Sequence, residues 1–175
     1  MNMKTKHITL SALLAVLLFI SSYFRIPLGF IPPITLQTFF VILIGLVLKP
    51  KYAFISTSAS LIFQILFQGI LSSPQFGFAA GFIVASTTLA ILVNLSKKSW
   101  YTYLCVMIAS LLIYAVGIPY FVLLASNPQI FAANSAIEML VKILHILMLP
   151  YLIGDAIKAI LAIIVAKRMH ILLHH

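Results

Sequence analysis

Only two acidic side chains occur in this 175-residue sequence, Glu138 and Asp155, and both fall in its last apolar stretch. Lys142, Lys158 and His145 lie in the same stretch. Asp155 and Lys158 stand at i and i+3, so a helix would carry them on one face. Asp155 precedes Lys167 by about 12 residues, roughly 18 Å of helix. If the stretch crosses a membrane with Lys167-Arg168 at its surface, Asp155 lies near the midplane. An ionisable group at that depth is costly and normally faces a cavity or a partner. Two arrangements meet that demand: a salt bridge neutralised in dry packing, or the polar end of a ligand pocket. Pro150 and Gly154 favour the pocket. A proline in a helix frees a backbone carbonyl and loosens packing, and interrupted helices at mid-membrane depth often build binding sites. Glu138 and Lys142, at i and i+4 near the other end of the stretch, read as a surface pair. His145 reads as a packed or interfacial histidine.

A second group of polar residues follows Pro32-Pro33. Thr35, Gln37 and Thr38 open an otherwise greasy helix, and Gln64 with Gln68 adds amide capacity at i and i+4 in the next one. Amides donate and accept at once, which suits a neutral heterocycle. A helix cap with interhelical hydrogen bonding accounts for the same residues, and both readings stay open. Ser11 and Ala15 form a small-xxx-small pair, which lets another helix approach closely, either inside the bundle or from a partner protein. No phosphate-binding G-x-x-x-x-G-K-[ST] run occurs, and no nucleophile–base arrangement or metal-ligand spacing is present. With two carboxylates in all, general acid–base catalysis has few players. No enzyme, metal or cofactor is expected.

The elements that must hold these residues follow from composition. The chain is 63% hydrophobic and 7% charged, against roughly 25% charged in a soluble domain. Too few charges exist to coat a surface that faces water, so hydrocarbon is the expected solvent. The net charge of +9 does not point to nucleic acid, because the cations sit in pairs between apolar runs and form no stripe. Cys105 is the only cysteine, which rules out an intramolecular disulfide. It reads as a small packing residue.

Six apolar segments span about 8–24, 34–48, 52–71, 76–96, 100–124 and 136–166. Helices are expected because each backbone polar group in lipid needs a partner within its own segment. The first segment starts basic but lacks a small-x-small cleavage site before Tyr23, Phe24 and Arg25, so it reads as a retained helix. Arg25-Ile26-Pro27-Leu28-Gly29 with Pro32-Pro33, then Lys49-Pro50-Lys51, Ser72-Ser73-Pro74, Lys97-Lys98-Ser99 and the stretch 125–135 separate the segments. The second segment is short for a full crossing, so it is tilted or its proline-rich start sits at membrane depth. Lys4, Lys6, Lys49, Lys51, Lys97, Lys98, Lys167 and Arg168 fall on one side, and Arg25 alone falls in a loop on the other. The positive-inside bias puts both termini in the cytoplasm. The expectation is an all-α, multi-pass, six-transmembrane-helix bundle, with residues 1–175 as a single transmembrane domain in the cell membrane.

Three blocks of residues resemble the biotin-transporter substrate-specificity family, the S-components of energy-coupling-factor (ECF) transporters. They are Pro33-Ile34-Thr35-Leu36-Gln37-Thr38, Gly77-Phe78-Ala79-Ala80-Gly81-Phe82, and Leu149-Pro150-Tyr151-Leu152-Ile153-Gly154-Asp155-Ala156-Ile157-Lys158. Their order and spacing cover nearly the whole chain. The resemblance implies a bundle that binds biotin or a related vitamin from outside. It also implies docking on a transmembrane coupling subunit driven by two cytoplasmic ATPases. It assigns Asp155 and Lys158 to the ligand and gives Ser11 and Ala15 to the coupling subunit; Thr35 and Gln37, in the first block, are candidate substrate-binding residues beside them. The family's Gly-rich stretch between helices three and four shrinks here to Gly69-Ile70-Leu71-Ser72-Ser73-Pro74-Gln75-Phe76, where Gln75 or Ser73 would replace a polar ligand residue. A stand-alone, ion-coupled secondary transporter of a small organic acid such as lipoate is the competing expectation, since buried charges can relay protons.

Overall fold

The computed structural model describes residues 3–28, 31–96, 98–124, 138, 141–142 and 149–173. Six continuous α-helices stand among them: α1 (Met3–Ser21), α2 (Gln37–Val47), α3 (Pro50–Gln68), α4 (Phe76–Leu92), α5 (Ser99–Leu124) and α6 (Leu149–Leu173). A single 3-10 turn, Ile70–Ser72, joins α3 to α4. The helical class is the expected one, with a difference between α1 and α2. There the Arg25–Pro33 break, read as a loop, folds into an antiparallel two-stranded ribbon, β1 (Arg25–Leu28) and β2 (Ile31–Thr35). Prolines 27, 32 and 33 cannot donate to a ladder, which confines these strands to an isolated ribbon. The pairing is irregular between Ile26 and Leu28, around Pro27, and it sets Arg25 opposite Thr35.

Helix termini follow local chemistry. Pro50 occupies the first turn of α3, where its missing N–H has no intrahelical partner to lose. Gly69 ends α3 with φ of 62°, the left-handed conformation that a side chain disfavours. α6 runs past the expected boundary at 166 and carries Lys167 and Arg168 as helical residues. The 125–135 break, His145 and His174-His175 lie outside the described residues, as do residues 143–148 just before Pro150. Glu138 and Lys142 are described, and they pair at 3.0 Å with side chains 42% and 35% exposed.

The core is apolar, and so is much of the exterior. Large apolar side chains point outward: Ile8, Leu13 and Val16 on α1, Phe54, Ile62 and Leu66 on α3, Met107 and Leu111 on α5, Ile160 and Ile164 on α6. Hydroxyls and amides point inward, including Ser56, Thr57, Ser60, Gln64 and Ser86. They satisfy one another across helices. Ser56 Oγ donates to the Ser11 carbonyl at 2.9 Å, Ser11 Oγ to the Tyr52 carbonyl at 3.2 Å, and the Thr57 and Ser86 hydroxyls meet at 3.2 Å. An apolar exterior around an apolar core whose polar side chains are bonded to one another suits hydrocarbon. By length and composition α5 alone is a full membrane span among the described residues, and α2 and α4 are shorter apolar helices. α2 is buried along nearly its whole length and packs against α1, α4 and α6.

The tightest helix contact joins α4 and α5 through two reciprocal glycine–aromatic fits. Tyr120 of α5 lies over Gly77, and Phe78 of α4 lies over Gly117. A Cβ added at Gly77 would sit 2.5 Å from the Tyr120 Cβ, and one at Gly117 would sit 2.3 Å from Phe78 Cδ1. Neither neighbour can yield without moving a backbone or a packed ring. Gly77→Ala and Gly117→Ala are each expected to destabilise the bundle by about 1–3 kcal/mol. Gly154→Ala, where an added Cβ meets nothing within 4 Å, is expected to leave it nearly unchanged. Thermal unfolding in detergent measures all three.

Candidate ligand-binding site

One turn of α6 presents Asp155 and Lys158 on the same face, 3.0 Å apart, with side chains 12% and 14% exposed. Two further helices reach this pair. Thr38 at the start of α2 donates its hydroxyl to Asp155 Oδ1 at 2.9 Å. Tyr114, in the middle of α5, donates its hydroxyl to Asp155 Oδ2. Lys158 Nζ donates to both Asp155 Oδ1, at 3.0 Å, and Thr38 Oγ1, at 3.2 Å. The carboxylate therefore accepts from three helices at once. Removing any one donor would leave charge in a poorly hydrated place.

These groups form part of the lining of a cavity that offers about 90 Å³ to the centres of water-sized molecules. Its walls combine Phe78, Phe82, Ile113 and Tyr151 with the amides Gln37, Gln64, Gln68 and Gln75. The amides are oriented. Gln37 Nε2 donates to Gln64 Oε1 at 3.0 Å, and Gln64 Nε2 donates to Ser60 Oγ at 3.3 Å. This relay leaves the Gln37 carbonyl oxygen without a donor among the described residues. Ser73 Oγ donates to Gln75 Oε1 at 2.6 Å and accepts from the Gln75 backbone N–H at 3.3 Å, which fixes the turn that brings Gln75 to the wall.

The structure brings Asp155, Lys158, Gln37, Thr35 and Gln75 to one cavity. Just before α2, Thr35 Oγ1 accepts from the Gln37 N–H at 3.4 Å while Thr35 still faces the cavity. Ser73 is not part of the lining. Ser11 and Ala15 lie elsewhere, 5% and 3% exposed against α3. Their small size is accounted for by that close helix contact, and Ser11 bonds there to the Tyr52 carbonyl. They also border an apolar groove between α1 and α3 with Ala12 and Ala59. Sequence reasoning missed Tyr114, Tyr151 and Arg25 as lining residues. The available signal was Tyr114 itself, since a phenol deep in an apolar helix needs a hydrogen-bond partner.

A helical bundle greasy outside, with an amide-lined hollow closed by a bonded ion pair, is a membrane protein built to hold a small polar molecule. The sequence matches the BioY family over residues 1–175, and the chain belongs to that family. It is 31% identical over 178 residues to a probable biotin transporter BioY of Pyrococcus horikoshii, covering 95% of this chain and 98% of that one. It is 28% identical over 164 residues to the biotin transporter BioY of Thermotoga maritima, covering 87% and 89%. The crystal structure of the S-component for biotin from an ECF-type ABC transporter has the same fold, with a TM-score of 0.77. The match covers 97% of this chain and 93% of that one at 22% identity.

Tyr114→Phe deletes one donor to the carboxylate and keeps the ring. It is expected to cost about 1.5–3 kcal/mol, the range for hydrogen bonds to charged groups. Thr38→Val, which also removes a bond from Lys158, is expected to cost at least as much. Unfolding midpoints of the purified variants check both.

Proposed function

We propose that the chain is the substrate-binding subunit of an ECF-type vitamin importer and that it binds biotin in the cavity between α2, α4, α5 and α6. The observation that carries this reading is the spare hydrogen-bonding capacity around Asp155. A carboxylate has about four acceptor sites, and an ammonium has three donors. Asp155 uses three sites, on Thr38, Tyr114 and Lys158. Lys158 uses two donors, on Asp155 and Thr38. One acceptor and one donor remain side by side, with the Gln37 carbonyl in the same cavity. A cyclic urea presents one C=O between two N–H groups, and this set complements it. The aromatic and aliphatic wall formed by Phe78, Phe82 and Ile113 suits the apolar remainder of such a ligand.

Orientation follows from charge. The cavity is lined by residues of the ribbon and of the α3–α4 turn, and these connections carry Arg25 as their one cation. The opposite connections carry the lysine pairs, so the cavity opens outward and both termini are cytoplasmic. All six helices cross or enter the bilayer, and the ribbon continues the short α2 toward the outer surface. A transmembrane coupling subunit with two cytoplasmic ATPases completes the importer. The groove beside Ser11 and Ala15 on α1 is the proposed contact, with Ala12 and Ala59 on its rim.

Calorimetric titration of the purified chain with biotin is the direct test. Saturable binding is expected, and Asp155→Asn or Lys158→Ala should weaken it by tenfold or more, because removing one partner of a buried pair strands the other. Unchanged affinity in both variants would remove the site assignment. Stronger binding of lipoate than of biotin would transfer it to a different acid.

A further inference from the structure

The cavity has a second charged end that the hydrogen bonds around Asp155 do not use. Arg25 opens β1 on the cavity wall. Its Nε donates to the Ser22 carbonyl at 3.1 Å and its Nη2 to Gln68 Oε1 at 3.4 Å, while Gln68 Nε2 donates to Ser22 Oγ. Every one of these partners is neutral. Both acidic side chains of the chain are committed elsewhere, Glu138 to Lys142 and Asp155 to Lys158. A guanidinium carries five donors in a fixed fork, and two are engaged, so the cluster holds the group in place without saturating or neutralising it.

Lys158 is the other cation on the wall, and its circumstances differ. It sits 3.0 Å from Asp155. An incoming carboxylate at Lys158 would be placed beside an existing one, and like charges at that range disfavour each other. At Arg25 an incoming carboxylate meets an unopposed cation able to bind it in bidentate fashion.

We infer that Arg25 is a carboxylate anchor at the mouth of the cavity. The site therefore takes a monocarboxylic acid whose neutral polar head lies against Asp155 and Lys158 and whose acid end is held by the guanidinium. This rests on the reading of the cavity as a biotin site and adds to it the direction in which the ligand lies. Thr35, opposite Arg25 in the ribbon, lines the cavity beside it.

The test compares biotin with its uncharged carboxamide by calorimetry on the full chain in detergent. The unaltered protein should prefer the acid by roughly tenfold, a value set by one charge-assisted pair at a partly exposed position. Arg25→Gln, which keeps hydrogen-bonding capacity but loses the charge, should bring the acid down to the level of the carboxamide while changing the carboxamide far less. Arg25→Lys should retain part of the preference. Lys158→Ala should weaken both compounds alike. The inference is overturned if Arg25→Gln leaves the preference intact, or if Lys158→Ala abolishes it, which would put the acid at the base of the cavity. A chain that binds both compounds equally well before mutation overturns this inference alone. A chain that binds neither overturns the biotin reading together with it.

Discussion

A single carboxylate placed where water is scarce sets the terms for the rest of the molecule. Asp155 cannot stay charged in an apolar bundle unless its charge is shared. It is shared by a hydroxyl from α2, a phenol from α5 and an ammonium one turn along α6. These bonds fix the relative positions of three helices that are far apart in sequence. They also prevent the space beside them from collapsing, because closing it would require desolvating the remaining donor of Lys158 and acceptor of Asp155. The cavity is thus a by-product of keeping the pair hydrated or liganded.

The remaining polar interior obeys the same logic at lower stakes. Serine and threonine hydroxyls between α1, α3 and α4 bond to each other, to carbonyls of the neighbouring helix or to carbonyls one turn back. The Gln37–Gln64–Ser60 relay links this seam to the cavity wall. In lipid such bonds, together with small residues that allow close approach, replace the hydrophobic drive that holds soluble cores. The glycine–aromatic fits between α4 and α5 add shape-specific packing. Tyr114 is carried on the helix most firmly held by them, so its hydroxyl meets Asp155 in a defined place.

Much of this was legible in the residues. The Asp155–Lys158 spacing announces a shared face because both lie on one helix, three residues apart. The amide pair Gln64 and Gln68 and the opening of α2 were visible as polar residues in greasy runs. Tyr114 stood out only as a phenol deep in an apolar run; its partner lies 41 residues away, and only the packing of α5 brings the two together. The ribbon was hidden for a different reason. Prolines 27, 32 and 33 argue against strands in any wider sheet, yet a two-stranded ribbon needs few donors. Arg25 consequently read as a loop cation, although the ribbon turns it toward the cavity.

The encirclement of α2 bears on how the protein is made. A helix of 11 residues is about 16 Å long, roughly half of the hydrocarbon thickness, and offers the translocon too little to secure a stable position by itself. Its lasting partners include α6, where Asp155 meets Thr38 from 117 residues further along the chain. Thr38 therefore waits for Asp155, and the cavity wall shared by α2 and α6 cannot form until α6 has been made. A formed cavity is then a built-in report that helices made early and late have both been inserted and have met.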